Sequence, residues 1–277
     1  MKKRLDQILV ERGLFATRSQ AAASVMAGEV KVAGRTVAKA GAQIVPDAEI
    51  TLREEPRFVS RGGLKLERAF QEFPIDVEGR VAIDIGASTG GFTDCLLQHG
   101  ARKVIAVDVG YGQLDWKLRQ DSRVEVLERT NVRNLTPDML SEPPEFATFD
   151  VSFISLTKVF PAVIKCLSNG FRIVSLIKPQ FEAGRESVGK GGVVRDAETH
   201  RQVLASIWDY AERLGLTVLG LTESGVRGPK GNIEYLIYLA DGRDAAVTAK
   251  KQAPPEMPET PDRDRIIATV IERAAGK

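Results

Sequence analysis

The 277-residue chain has only two cysteines, Cys95 and Cys166, far apart and without C-x-x-C spacing. A disulfide framework is excluded, and two buried, reduced thiols suit a reducing cytosol. No apolar run approaches the ~18 residues that a membrane span needs. The basic start, Met1-Lys2-Lys3-Arg4-Leu5-Asp6, has no apolar segment behind it. A cytoplasmic protein with no membrane partner is the expectation. Surplus charge is nearly absent: 39 Lys and Arg against 37 Asp and Glu leave +2, so nucleic-acid affinity has to come from local patches. Also missing is the G-x-G-x-x-G spacing that cradles a pyrophosphate, because the glycines of residues 81–92 are spaced G-x-x-x-G-G. The length is comfortable for two domains.

What is present centres on residues 81–92, Val-Ala-Ile-Asp-Ile-Gly-Ala-Ser-Thr-Gly-Gly-Phe. An apolar run of strand length meets a glycine turn that opens a helix, the unit with which an open α/β sheet builds a nucleotide-sized crevice. Asp84 lies in the strand, and Gly86, Gly90 and Gly91 let backbone approach a ligand without a Cβ in the way. Ser88 and Phe92 complete the candidate cofactor-binding turn. The next apolar run, 103–107, ends in Asp108, the acid that this architecture sets on ribose hydroxyls. An acid at the strand tip without a pyrophosphate cradle fits a cationic, adenosine-bearing cofactor, S-adenosylmethionine.

Further strands are expected over 124–127, 145–151 and 172–179, with a helix over 156–167. The irregular stretch 182–194 is too long for a plain connector and reads as a lid or substrate loop. A helix ending at Gly215 precedes strands 218–222 and 233–239, whose direct connection demands an antiparallel pair. The fold class is therefore α/β: a Rossmann-like, seven-stranded methyltransferase sheet over 61–245 with its last strand reversed. Residues 1–55 form a small α+β unit of two helices and short strands, with Thr17-x-x-Gln20 as a capping box. Residues 56–60 read as a linker and 246–277 as a proline-rich tail with a terminal helix that could pack on the core or on a partner.

The front unit is locally basic, and Arg4-Leu5-Asp6, Arg18-Ser19-Gln20-Ala21 and residues 28–34 resemble the ribosomal-protein S-four-like RNA-binding domain. That resemblance implies that Arg4, Arg18 and Lys31 face structured RNA, with Arg61, in the turn entering the larger domain, as a fourth RNA-binding residue.

Parallel strands present ligands at their carboxyl ends. Asp150 and Lys178 close the fourth and fifth strands, and Glu234 opens the reversed strand, so all three share one sheet edge. Lys65 follows the Arg61-Gly62-Gly63 turn but lies off its helix's apolar face of Leu66, Ala69, Phe70 and Phe73. Five stretches, 61–66, 84–92, 150–155, 177–182 and 231–235, are similar to the TlyA family, also called haemolysin A. It is a family of ribosomal RNA ribose 2'-O-methyltransferases related to FtsJ-type enzymes. The resemblance implies a catalytic K-D-K-E tetrad at Lys65, Asp150, Lys178 and Glu234. It implies S-adenosylmethionine-dependent methylation of a cytidine in 23S rRNA, leaves 16S rRNA open, makes ribosomal RNA or ribosomal subunits the partners, and calls for no metal. A non-enzymatic RNA-binding ribosome-assembly factor is the alternative. A membrane-lytic haemolysin would need a strongly amphipathic basic segment, which the chain lacks. Oligomeric state is not legible in these residues.

Overall fold

The computed structural model describes residues 2–53, 56–189, 191–244 and 262–276. The chain divides into two compact units, Met1–Arg57 and Phe58–Lys277.

In the first unit, α1 (Leu5–Glu11) and α2 (Arg18–Met26) are joined by a turn in which the Thr17 side chain accepts from the Gln20 backbone N–H at 3.3 Å. That bond satisfies one of the orphan donors at a helix start. Strands β2 (Val30–Val32), β3 (Arg35–Thr36) and β5 (Ile50–Leu52) form an antiparallel sheet ordered β3-β2-β5. A second, two-stranded sheet pairs β1 (Lys3–Arg4) with β4 (Gln43–Ile44). Leu5, Leu9, Ala21, Val25 and Val30 are its buried centre.

The second unit is built on seven strands: β6 (Val81–Ile85), β7 (Lys103–Val107), β8 (Val124–Leu127), β9 (Phe146–Phe149), β10 (Arg172–Ile177), β11 (Leu216–Glu223) and β12 (Tyr235–Asp241). Their order is β11-β12-β10-β9-β6-β7-β8, and β12 alone runs antiparallel to its neighbours. Every residue of β6 is buried, as a central parallel strand covered on both faces requires. Helices α3 (Gly62–Glu72) and α4 (Gly91–Gln98) pack on one face through Leu66, Phe92 and Leu96, and short helices α5 (Trp116–Gln120) and α7 (Pro179–Glu182) follow β7 and β10. The opposite face carries Phe149 and Phe160 beneath α8 (Ala197–Arg213).

Two expectations change, and one left open is decided. The helix expected over 156–167 is a single 3-10 turn, Leu156–Lys158, followed by a short α6 (Phe160–Ile164). Pro161, lacking an N–H, cannot extend a ladder begun earlier and sits in the first turn of the new helix. Residues 58–60, read as linker, belong to the larger unit's packing: Phe58 is buried and the Val59 N–H donates to Asp94 Oδ2 at 2.8 Å. The terminal helix, α9 (Arg263–Ala275), settles on the core, burying Ile267, Val270 and Ala274 in the α8 face. The proline-rich stretch before it, 245–261, lies outside the described residues. Among the described residues no helix is long and apolar enough to cross a membrane.

Candidate active site

At the carboxyl edge of β6 the chain turns at Gly86, φ +84°, where a Cβ would stand 2.8 Å from the Asp150 carbonyl oxygen. Only glycine fits that crossing. Ser88 follows with φ +49°, which aims its backbone N–H at Asp108 Oδ2, 2.8 Å away, while the Gly110 N–H donates to Oδ1 at 2.7 Å. Asp108 is thereby fixed by backbone donors, and each oxygen keeps a lone pair for a ligand hydroxyl.

Two residues of the expected cofactor set face elsewhere. Gly90 (φ +95°) does not line the crevice; a Cβ there would meet the Leu118 and Leu114 side chains at 2.2 and 2.8 Å, so its role is packing. Asp84 is fully buried and accepts from Thr93 Oγ1 at 2.7 Å and Thr148 Oγ1 at 3.0 Å, away from the crevice. Alternation along β6 turns residues 81, 83 and 85 to one face and leaves Asp84 on the other, beneath α4.

Burial pushes Asp84 up from 3.8 to about 7, against the pull of the two hydroxyls. A raised folded pKa means that its contribution to stability is complete below about pH 4 and is lost as pH rises to about 7. Asp84→Asn should therefore gain stability relative to wild type between pH 5 and pH 8, as measured by urea unfolding of both proteins at the two pH values. An unchanged difference would contradict the assignment.

The crevice has two lobes. One, of about 580 Å³, is bordered by Gly62, Lys65, Asp150, Lys178 and Glu234. The other, of about 480 Å³, extends over Asp108, Thr130 and Asn131. They share Gly86, Ser88, Asp150, Ser152 and Phe153. Gly91 and Phe92 line the first lobe, where Gly91 also lets α4 meet the Ser60 and Gly63 segment closely.

The four expected tetrad residues meet as two ion pairs. Lys65 Nζ lies 2.5 Å from Glu234 Oε2, and Lys178 Nζ lies 2.5 Å from Asp150 Oδ1. Lys178 also donates to Ser152 Oγ at 2.9 Å, and Gln180 Nε2 to Glu234 Oε1 at 3.4 Å. Lys65 is 8% exposed although it stands off the apolar face of α3, because Glu234, itself 1% exposed, receives its amine. Burying such charges is tolerable only as neutralising pairs. Arg61 is exposed at the rim.

Sequence reasoning missed Ser152, which anchors Lys178, and Phe153. Phe153 is 89% exposed with φ +64°, and its ring centre lies 5.0 Å from that of Phe181. An aromatic residue just past a strand's carboxyl end was the available signal; its unusual backbone was not.

In the first unit, Arg4 donates to both oxygens of Asp6, at 3.0 and 2.8 Å, and Arg18 donates to Oδ2 at 3.2 Å. Asp6 is buried, and the Arg4 hydrogen bond leads the effects that hold its carboxyl down at about 2. This acid brings the two arginines together, half-exposed, on one surface. Lys31 is exposed on β2.

A parallel sheet with one reversed strand, whose first turn faces an acid at the second strand's tip, has the architecture of a methyltransferase that uses a nucleoside-bearing methyl donor. The chain belongs to the FtsJ-like methyltransferase family, whose model matches residues 58–241, and within it to the TlyA relatives. An S4 domain matches residues 3–50. The chain is 52% identical over 240 residues to YqxC of Bacillus subtilis, provisionally named an rRNA methyltransferase, covering 86% of this chain and 85% of the relative. It is 44% identical over 251 residues to the 16S/23S rRNA (cytidine-2'-O)-methyltransferase TlyA of Mycobacterium tuberculosis, covering 90% and 94%. A solved structure from Streptococcus thermophilus, provisionally named a hemolysin, superposes with a TM-score of 0.71 at 42% identity, covering 99% of this chain and 97% of that one.

Proposed function

We propose that this chain methylates the ribose 2'-hydroxyl of a cytidine in 23S rRNA, with 16S rRNA as a second substrate, using S-adenosylmethionine. In this reading residues 1–55 grip folded RNA through Arg4, Arg18 and Lys31, and residues 61–245 carry out the transfer, with Arg61 on a phosphate at the rim. The observation that carries it is the pair of lysine–carboxylate contacts lining one lobe of a crevice whose other lobe ends at Asp108.

The residues present fit the cofactor. Asp108 would hold its ribose and the wall at Thr130 and Asn131 its base, with Gly86 and Ser88 lining both lobes between them. When bound, S-adenosylmethionine supplies a methyl already activated on a sulfonium. The chain's own tasks are then to align the hydroxyl and to take its proton. Lys178 Nζ, fixed between Asp150 and Ser152, contacts the hydroxyl oxygen. Lys65, held by Glu234, positions the ribose or the adjacent phosphate. As the oxygen gains the methyl, its proton leaves to the amines and carboxylates of the tetrad.

Sequence-specific RNA recognition targets single-stranded segments, whose unstacked bases are held by aromatic stacking. Phe153, exposed beside the tetrad and backed by Phe181, offers that surface. Stacking of this kind contributes about 1–3 kcal/mol. Phe153→Ala should therefore raise KM for rRNA by about 5- to 150-fold with a smaller effect on kcat, a split that steady-state kinetics resolves.

The deciding experiment is incorporation of labelled methyl groups into rRNA from cells that lack the protein, followed by mapping of the modified nucleotides. The expected product is 2'-O-methylcytidine. No incorporation into any ribosomal substrate would leave the RNA-binding assembly factor as the better reading.

A further inference from the structure

The wall of the first lobe is partly made of irregular chain. Val188, Gly191 and Gly192 from the segment before α8, and residues 226–230 from the β11–β12 connection, line it together. Gly184, Gly191 and Gly192 all have positive φ, so this segment forfeits much conformational freedom when ordered and needs ties from outside.

Those ties converge on one side chain. Asn232, 3% exposed, accepts from the Val194 N–H through Oδ1 at 3.2 Å. Its Nδ2 donates to Gly192 O at 2.9 Å and to Pro229 O at 3.2 Å. One carboxamide thus fastens the loop before α8 and closes its own connection. That connection presses on the tetrad: a Cβ at Gly228 would lie 2.1 Å from Glu234 Oε1. A second grip lies beneath, where His200 Nε2 meets Val194 O at 3.1 Å and His200 Nδ1 meets the Tyr235 hydroxyl at 2.9 Å.

We infer that Asn232 is a positioning residue for methyl transfer, a latch that holds Gly192 and Val194 of the segment before α8 against the crevice and sets the connection that confines Glu234. Asn232 borders the first lobe, but both ends of its carboxamide are committed to backbone partners, so it acts on rate through geometry. The inference rests on the methyltransferase reading for its kinetic part only.

The test uses the full chain with Asn232→Ala and Asn232→Asp. Trypsin cleavage between residues 184 and 195 should be at least tenfold faster in Asn232→Ala. Its kcat should fall at least tenfold, with cofactor affinity within twofold of wild type. Asn232→Asp keeps the acceptor for the Val194 N–H, but as a carboxylate it cannot donate to Gly192 O or Pro229 O. Protonation restores one donor, so its cleavage rate relative to wild type at the same pH should fall towards one as pH is lowered from 8 to 5.5. That recovery is not expected of a residue that only fills space, and it remains measurable if Asn232→Ala fails to fold. Wild-type cleavage rates in the variants, faster cleavage with unchanged kcat, or a pH-independent Asn232→Asp would overturn the latch. If wild-type protein methylates no ribosomal substrate, the methyltransferase reading fails while the cleavage comparison still decides the latch.

Discussion

Lys178→Ala is expected to slow methyl transfer to 23S rRNA by about 10²–10⁴-fold, the span associated with losing a positioned proton-transfer group. Lys178 directly follows β10, a strand paired on both sides with β9 and β12, so truncating the side chain leaves the backbone where it was. The substitution removes an amine from between Asp150 and Ser152. The Asp150 side chain is 22% exposed and can recruit water, so the loss should fall on rate far more than on stability. Lys178→Arg keeps the charge, but a planar guanidinium cannot place a single donor where a compact ammonium does. It should bind cofactor and still transfer poorly. Single-turnover transfer of labelled methyl, with cofactor affinity measured by calorimetry, checks both variants. A Lys178→Ala rate within threefold of wild type would remove Lys178 from the chemistry.

The Lys65–Glu234 pair should behave differently, because here the abandoned carboxylate is buried. Lys65→Met leaves the Glu234 carboxylate buried with, among the described residues, the Gln180 amide at 3.4 Å as its remaining side-chain donor, and breaking such a pair costs about 3–5 kcal/mol. Adding Glu234→Leu removes the stranded charge, so the double variant should regain most of the lost stability. It should not regain transfer, since both groups are gone. Urea unfolding and the methyl-transfer assay on the two single variants and the double variant separate the structural role of the pair from its chemical one. Equal stability across all four proteins would mean that the pair is solvated in solution. Restored transfer in the double variant would mean that neither residue touches the reaction.

The parts of this site that could be read in the sequence are those governed by local rules. A buried strand, a glycine turn and an acid at the next strand's tip occupy fixed places in a parallel sheet, and the same rule brings Asp150, Lys178 and Glu234 to one edge. Lys65 could not be placed by that route. Helical periodicity describes a helix by itself, whereas Lys65 is buried by a carboxylate 169 residues away in the chain. Asp84 shows the reverse failure: an acid inside a ligand-binding stretch looks like a ligand contact, yet strand alternation sends it into the core towards Thr93 and Thr148. The two-residue strand Lys3–Arg4 carries too little pattern to register, and its existence depends on Gln43–Ile44. Asn232 stood within a recognised stretch, but its importance lies in three bonds to backbone atoms of two loops, which no residue type announces.

Helix α9 covers an apolar stripe over α8, and beside its end the Ala274 carbonyl accepts from Arg227 Nη2 at 2.9 Å, on the connection that also borders Glu234. Every strand of the sheet precedes that helix in the chain. During synthesis all seven strands therefore emerge before their cover does, leaving an interval in which a sheet that forms at once would have a greasy flank bare and one wall of its crevice unbraced. Chaperone capture should be greatest in that interval, and activity should arrive late, with the final helical turns.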